Sequence, residues 1–183
     1  MRKLFIILLT AMTVITANAQ NNVTVPEPEF IGQVVVLTSD STGITLPKEK
    51  SAIKASGTHW GMVPVPGLGL LDKAKTKLVL AGRNAANNFK AGTIRFVIRV
   101  EKQEADPASY LRIVKFEVKK KTRESVISEF GLIQGMSADF SSSESFDVKK
   151  YGESSLLISL QVEPGQYGVS MTSLFDACTF GVE

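Results

Sequence analysis

Apolar and polar side chains alternate along two stretches in the second half of the chain. Within residues 93–101 every second position is apolar, and these positions are Ile94, Phe96, Ile98 and Val100. The opposite face carries Arg95 and Arg99, with Val97 between them. Residues 112–119 repeat the pattern, with Val114, Phe116 and Val118 on one face and Ile113, Lys115, Glu117 and Lys119 on the other. A period of two is typical of strands that bury one face, so we expect sheets with one dry side.

Shorter apolar segments extend this pattern along the rest of the chain. They are residues 30–37, 44–46, 51–55, 77–81, 124–130, 145–148, 156–162, 166–171 and 179–182, and residues 59–65 could add an edge strand or a loop. Turn sequences separate them, such as Glu163-Pro164-Gly165, where proline presets its own backbone angle and glycine accepts a positive φ. About nine to eleven short strands at this spacing predict an all-β fold, an antiparallel β-sandwich that is immunoglobulin-like or related.

Helix has little support in this sequence. Residues 70–80 could form one amphipathic helix, and residues 106–112 could hold one short helical turn. No other segment has a helical pattern, so we expect a fold with little helix.

The first nineteen residues have the three parts of a secretory signal peptide. Arg2 and Lys3 precede an apolar run at residues 4–15, and Ala17 and Ala19 supply the small residues that signal peptidase reads. The run is about 12 residues long, against about 20 for a membrane span, which favours a cleaved signal over an anchor. We expect cleavage before Gln20 and a protein that is not integral to the membrane. Its location is then extracytoplasmic: periplasmic, at the cell surface or secreted.

The mature chain reads as one domain behind a short tether. Residues 20–29 contain two prolines and read as an extended N-terminal tether, and residues 30–183 read as a single β-sandwich domain. Loss of the signal peptide leaves 19 basic residues against 18 acidic ones. This near-neutral charge does not call for an anionic partner, and we expect no binding of nucleic acid.

Only one cysteine and one histidine are available for chemistry. Cys178 cannot form an internal disulfide, so we interpret it as a small buried hydrophobe, with an intermolecular disulfide or a reactive thiol as the alternatives. His59 and Trp60 are adjacent, and the tryptophan could pack in a core or loop, or stack on a sugar or peptide. One histidine and one cysteine predict no zinc site, and we expect no metal and no cofactor.

Local motifs do not assign a reaction. Ser51 and Lys54 have the S-x-x-K spacing of penicillin-recognising enzymes, but a strand would point them to opposite faces. Residues 135–139 lack the second glycine of a nucleophile elbow, and residues 67–69 lack the rest of a dinucleotide loop. The basic run at residues 119–123 reads as a solvated hairpin tip. The alternatives are binding of an acidic polysaccharide, a lipid headgroup or nucleic acid, although the run lacks the aromatic residues that nucleic-acid binding would use. The sequence therefore nominates no catalytic residue.

Residues 77–183 carry a set of short sequences with a wider resemblance. They are FVIRV at 96–100, Asp106-Pro107, IVKFEVKKKTR at 113–123, KKYGESS at 149–155, EPGQYG at 163–168 and TFGVE at 179–183. With them, the chain resembles a family of small, β-rich, secreted proteins of Gram-negative bacteria that has no established activity. Residues 85–89 and 171–178 depart from the more regular pattern. The resemblance implies a β fold and an extracytoplasmic location, and it implies no site residue.

Two function classes follow from these observations. The first is a secreted or periplasmic, non-catalytic binding or structural domain, with a protein or a glycan of the cell envelope as its partner. The second is an extracytoplasmic enzyme without local motifs, such as a carboxylate-pair glycosidase, which would need two carboxylates roughly 5–9 Å apart in a cleft. A weaker third class is a carrier with an enclosed apolar cavity. We favour the non-catalytic domain.

Overall fold

The computed structural model describes residues 23–56, 74–131, 135–137, 143–171 and 176–183. These residues form fourteen strands and one four-residue helix. The strands are β1 (Val34–Leu37), β2 (Gly43–Thr45), β3 (Lys48–Lys50), β4 (Ala52–Ser56), β5 (Ala74–Ala81), β6 (Asn88–Phe89), β7 (Gly92–Arg99), β8 (Leu111–Val118), β9 (Thr122–Gly131), β10 (Gly135–Ser137), β11 (Asp147–Tyr151), β12 (Ser155–Val162), β13 (Gly165–Met171) and β14 (Asp176–Val182). The helix, α1, is Pro107–Tyr110, and the side chain of Asp106 caps it.

One sheet has five strands in the order β11-β12-β7-β1-β2, and every neighbouring pair is antiparallel. Its register aligns apolar residues across the three central strands. Phe96 lies opposite both Val36 and Ile158. Because opposite residues share a face, this alignment gives the sheet a continuous apolar inner surface.

The second sheet curls back towards its own edge. Its main path is β3-β14-β13-β8-β9-β5-β4, with β6 beside β14 and β10 beside β9. β3 and β4 stand at opposite ends of this path, yet only Ser51 separates them in the sequence. The chain connection therefore holds the two ends near each other, and we call this element the curled sheet. All its pairings are antiparallel except that of β6 with β14.

The main core lies between the two sheets. It contains eighteen buried apolar residues, and Phe96 and Phe180 are completely buried within it. The ring of Tyr167 stacks on that of Phe180, with centroids 5.4 Å apart. The predicted inner face of residues 93–101 is confirmed, because Ile94, Ile98 and Val100 join the same core. The all-β antiparallel sandwich is thus confirmed.

Two residues that the sequence placed on solvent-facing sides of their strands, Ile113 and Val97, are buried. Ile113 is fully buried in the main core, whereas Val114 and Phe116 form a second cluster with Leu78 and Leu80. β8 therefore buries both faces, because one faces the five-stranded sheet and the other faces the inside of the curled sheet. Val97 is also fully buried, although it faces away from the main core.

The N-terminal segment explains the burial of Val97. Val97 lies in a row with Val35 and Leu157 on the outer face of the five-stranded sheet, and all three are buried. Residues 23–29, which we call the strap, are held against this face. Arg99 Nη1 donates to the carbonyl of Pro28 at 3.0 Å, and the Tyr151 hydroxyl donates to the carbonyl of Val25. The described part of the predicted tether is therefore bound to the domain.

Glu27 fixes the strap to the turn between β11 and β12. Its carboxylate accepts hydrogen bonds from the backbone N–H groups of Glu153 (2.8 Å) and Ser154 (2.9 Å) and from the Ser155 hydroxyl (2.6 Å). These bonds, led by that from Ser155, lower the pKa of Glu27 below its ordinary value. Gly152 has φ +57°, and a Cβ there would lie 2.1 Å from the Glu27 carboxylate, so the turn requires glycine.

Other differences from the sequence are local. In its described part, the segment predicted as a possible helix at residues 70–80 is strand β5, while the short helical turn after Asp106 is confirmed. Fourteen strands exceed the nine to eleven expected because β3, β6 and β10 have three residues or fewer, too few to show a period. Among the described residues no helix is long and apolar enough to cross a membrane.

Substitution of Glu27 tests the strap. We expect Glu27→Gln to lower the free energy of unfolding by about 1–2 kcal/mol at neutral pH, because three hydrogen bonds lose their charged acceptor. Since the folded pKa is lowered, the carboxylate stabilises the fold above pH 4.5, the ordinary value, and this contribution is lost as the pH falls through the folded pKa. Urea denaturation at pH 7 and pH 3 measures both effects.

Glu29→Gln, an exposed change two residues away, is the control. Equal unfolding midpoints for Glu27→Gln and wild type at pH 7 would contradict the role of the strap.

Candidate functional site

The inside of the curled sheet is unusually polar for a protein interior. Five of the six buried polar side chains among the described residues lie on its strands, and they are Arg123, Ser125, Gln166, Ser170 and Thr179. The register places them on the inner face. Arg123 is opposite Leu80, and Ser125 is opposite Leu78. The main core, in contrast, is apolar throughout.

The inner faces of β13 and β14 belong to the same space. Gln166 is opposite Phe116, and Gly168 is opposite both Val114 and Thr179. Because Val114 and Phe116 pack against Leu78 and Leu80, strands from both halves of the curled sheet face one another. We call the group Glu49, Arg123, Ser125, Gln166 and Thr179 the polar interior.

Arg123 is the central residue of the polar interior. It lies on β9, and only 1% of its surface is exposed. Its Nη2 donates to Glu49 Oε2 at 2.5 Å and to the carbonyl of Ala81 at 3.2 Å. Neither its Nε nor its Nη1 has a hydrogen-bond partner in the part of the chain that the structure describes. Three of the five guanidinium hydrogens therefore face a protein interior without an acceptor.

Glu49 links this arginine to β14 and to solvent. One carboxylate oxygen receives the Arg123 bond, and the other accepts from the Thr179 hydroxyl. The side chain of Glu49 is 26% exposed, whereas those of Arg123 and Thr179 are buried. The pair is thus an ion pair with a buried cationic end and an acidic end that solvent reaches.

Gly168 and the loop before β6 determine the packing beside the Arg123–Glu49 pair. A Cβ at Gly168 would lie 2.7 Å from the Phe116 ring, so the absence of a side chain there allows the ring to lie against the strand. Gln166 Oε1 accepts from the backbone N–H of Ala85 at 2.7 Å, which fixes the loop before β6 against β13. The loop covers the curled sheet beside β13 and β14.

The polar interior offers hydrogen-bond donors and little proton chemistry. The free donors are the N–H groups of Arg123 on Nε and Nη1, and the hydroxyl of Ser125, which also lacks a partner among the described residues. A guanidinium stays protonated in proteins. No histidine or cysteine occurs among the described side chains that line this space. The arrangement therefore presents unpaired donors that an oxygen acceptor would satisfy.

Two surface cavities are further candidates. A groove of about 480 Å³ lies beside α1 and the start of β8, and Asp106, Arg112, Glu144, Phe146 and Val148 contribute to its walls. Its walls include two carboxylates, those of Asp106 and Glu144, as a catalytic pair would require. However, Asp106 Oδ1 accepts the N–H of Ala108 as the helix cap. That bond gives this carboxylate a structural role.

The second cavity has about 230 Å³ and is lined by Glu101, Lys102, Ala105, Tyr110 and Met171. The Tyr110 hydroxyl is buried and has no partner in the described chain. Burial raises the pKa of Tyr110, so the hydroxyl keeps its proton at neutral pH and can donate a hydrogen bond.

The residues singled out in the sequence do not assemble into a site. His59, Trp60 and residues 67–69 lie outside the described residues. Lys54 lies within strand β4, which begins at Ala52, so the S-x-x-K spacing there is not helical. Residues 135–137 form strand β10. Among the described residues, no three His, Cys, Asp or Glu side chains group as metal ligands would.

The basic run at residues 119–123 contains the residue that sequence reasoning missed. Lys119 to Lys121 are exposed, and Lys119 N–H bonds the carbonyl of Thr122, which confirms a hairpin tip. The prediction is wrong for Arg123, which is buried because β9 has already begun at Thr122. Strand alternation could have identified this residue, because Arg123 and Ser125 share one face of β9 and Glu124 lies on the other.

Cys178 is a small buried residue of the main core. It is 2% exposed, and its thiol donates to the carbonyl of Gly32 at 3.7 Å. Burial raises the pKa of the thiol. The interpretation as a buried hydrophobe is confirmed.

Thiol reactivity measures this burial. We expect Cys178 in the folded protein to react with a colorimetric thiol reagent at pH 8 many times more slowly than a free cysteine, because the thiol is both covered and protonated. Unfolding in guanidinium chloride should release one fast-reacting equivalent. A fast equivalent in the native protein would show that the core is open at this position.

Comparison with known proteins adds no function to this geometry. No protein-family model matches the chain, and neither a curated protein nor a solved structure matches it significantly. The function must therefore be inferred from the contacts, burial and charges of the chain itself.

Proposed function

We propose that this chain is a non-catalytic binding domain that works outside the cytoplasm and holds a small polar ligand in the polar interior. The observation that carries the proposal is Arg123, a guanidinium that is 1% exposed and leaves Nε and Nη1 without acceptors among the described residues. An unpaired buried donor costs about 1–3 kcal/mol. Acceptor atoms of a ligand would remove that cost.

The neighbouring residues support binding over catalysis. Glu49 is engaged at both oxygens, by Arg123 and by Thr179, so it is a held acceptor and not a free base. Ser125 has a hydroxyl without a hydrogen-bond partner among the described residues, so no base is bonded to it. We therefore infer no reaction at this site, and the groove with Asp106 and Glu144 supports a glycosidase less well because Asp106 caps a helix.

The first nineteen residues support the proposed extracytoplasmic location. They combine a basic start, an apolar run of about 12 residues and the small residues Ala17 and Ala19, which is the signal-peptide pattern. A single, buried cysteine agrees with a fold that needs no disulfide in an oxidising compartment. A ligand of this site would then be a component of the cell envelope, such as a glycan fragment or part of a protein.

The mass of the exported protein tests the location. We expect expression of the full chain in a Gram-negative host to yield an extracytoplasmic protein that begins at Gln20, because Ala17 and Ala19 direct the cleavage. Intact-mass spectrometry of the periplasmic and culture fractions measures this. Ala19→Arg should leave the signal attached, and Ala55→Arg in strand β4 is a control for the added charge. Full-length protein confined to the cytoplasm would refute the location.

Native mass spectrometry of the mature protein from its own envelope fraction tests the binding. We expect a bound small molecule on the wild-type chain and at least about tenfold lower occupancy on Arg123→Met, which removes the donors. Lys121→Met, at the exposed hairpin tip, is the matched control and should keep the ligand. Circular dichroism checks that each variant is folded. Wild-type protein without any bound mass would count against a small ligand, and capture of one stoichiometric protein would favour a structural partner instead.

A further inference from the structure

The charge of the polar interior decides what kind of ligand it accepts. Arg123 contributes one positive charge and Glu49 one negative charge, and Arg123 Nη2 lies 2.5 Å from Glu49 Oε2. The other three members of the polar interior, Ser125, Gln166 and Thr179, are neutral. The free donors of Arg123 thus belong to a pair that is already neutral.

A second anion would be poorly accommodated there. Arg123 is 1% exposed, so a carboxylate at its free donors would lose its hydration, and Glu49 would repel it. An uncharged oxygen avoids both costs and still accepts from Nε, Nη1 and the Ser125 hydroxyl. Carbonyl and hydroxyl oxygens are therefore the acceptors that suit the site.

We propose that Glu49 makes the polar interior selective for small, uncharged molecules with carbonyl or hydroxyl oxygens, by neutralising Arg123 and excluding anions. This inference rests on the proposed binding function and names its ligand class. The position of Glu49 suits the role. It lies on the short edge strand β3, and its 26% exposure places it where a ligand from solvent would first meet the pair.

The substitution Glu49→Gln removes the negative charge together with one of the two acceptor oxygens. Glutamine keeps the length of the side chain and an oxygen for Thr179, but it leaves Arg123 as an unneutralised cation. The free donors should then prefer an anion. A matched pair of probes reports the preference, because acetate and acetamide have nearly the same shape and differ by one charge.

The experiment compares the two probes on two proteins. The Arg123 Nε–H signal in a ¹⁵N-resolved NMR titration measures binding at the site itself. In wild type, acetamide should shift this signal at lower concentration than acetate. In Glu49→Gln, the ratio of the two apparent dissociation constants should move at least about tenfold towards acetate. Glu117→Gln, which removes a carboxylate from an exposed ion pair with Lys119, should leave the ratio unchanged.

Thermal unfolding gives an independent readout if the variant is weakly folded. We expect Glu49→Gln to be less stable than wild type and to be restored by acetate in a concentration-dependent way, with less effect from acetamide. An unchanged probe ratio would overturn the proposal. So would equal stabilisation of both proteins by acetate, failure of acetamide to shift the wild-type signal, or a variant that stays unfolded at every acetate concentration.

These outcomes are separable from the proposed function. A switch of preference in Glu49→Gln with no molecule bound to envelope-derived protein would support the selectivity and remove the evidence for a natural ligand. A bound anion on envelope-derived wild type would keep the binding function and overturn the selectivity.

Discussion

Burial of both faces of β8, β13 and β14 is the constraint on which the whole molecule depends. Leu111, Ile113, Tyr167, Val169 and Phe180 face the five-stranded sheet and complete an apolar core. The alternate residues of the same strands face the inside of the curled sheet. These three strands therefore contact the main core with one face and the polar interior with the other. A shift of one residue in the register of any of them would exchange the side chains of its two faces.

That division separates apolar packing from the buried polar groups. The main core is apolar and gives the favourable free energy of burial. Among the described residues the second cluster has four apolar members, Leu78, Leu80, Val114 and Phe116, and they share their space with an arginine and several hydroxyls. Buried ion pairs add little to stability compared with apolar packing of the same volume. The composition of the interior is understandable if it serves binding, with the rest of the fold supporting it.

The sequence was sufficient for the fold class and insufficient for the site, and the reason is physical. Alternation in residues 93–101 identified β7 and its inner face, because the face that packs on the other sheet must be apolar at every second position. The same reasoning failed at Ile113 and Val97. Both faces of β8 are covered by strands that lie far away in the sequence, and the outer face around Val97 is covered by the strap. Arg123 was missed for the same reason. Nothing within five residues of it indicates that Glu49, seventy-four positions earlier, will neutralise it.

The strap has a consequence for the order in which the molecule can be completed. Glu27 is among the first residues of the described chain to be synthesised, yet its three donors are at least 126 positions later. Until the β11–β12 turn has emerged, Glu27 lacks all three of its donors, and the strap has only partners that lie earlier in the chain, such as Arg99. Closure of this long loop is entropically slow. The strap therefore reaches its final contacts only after residues 153–155 have been synthesised.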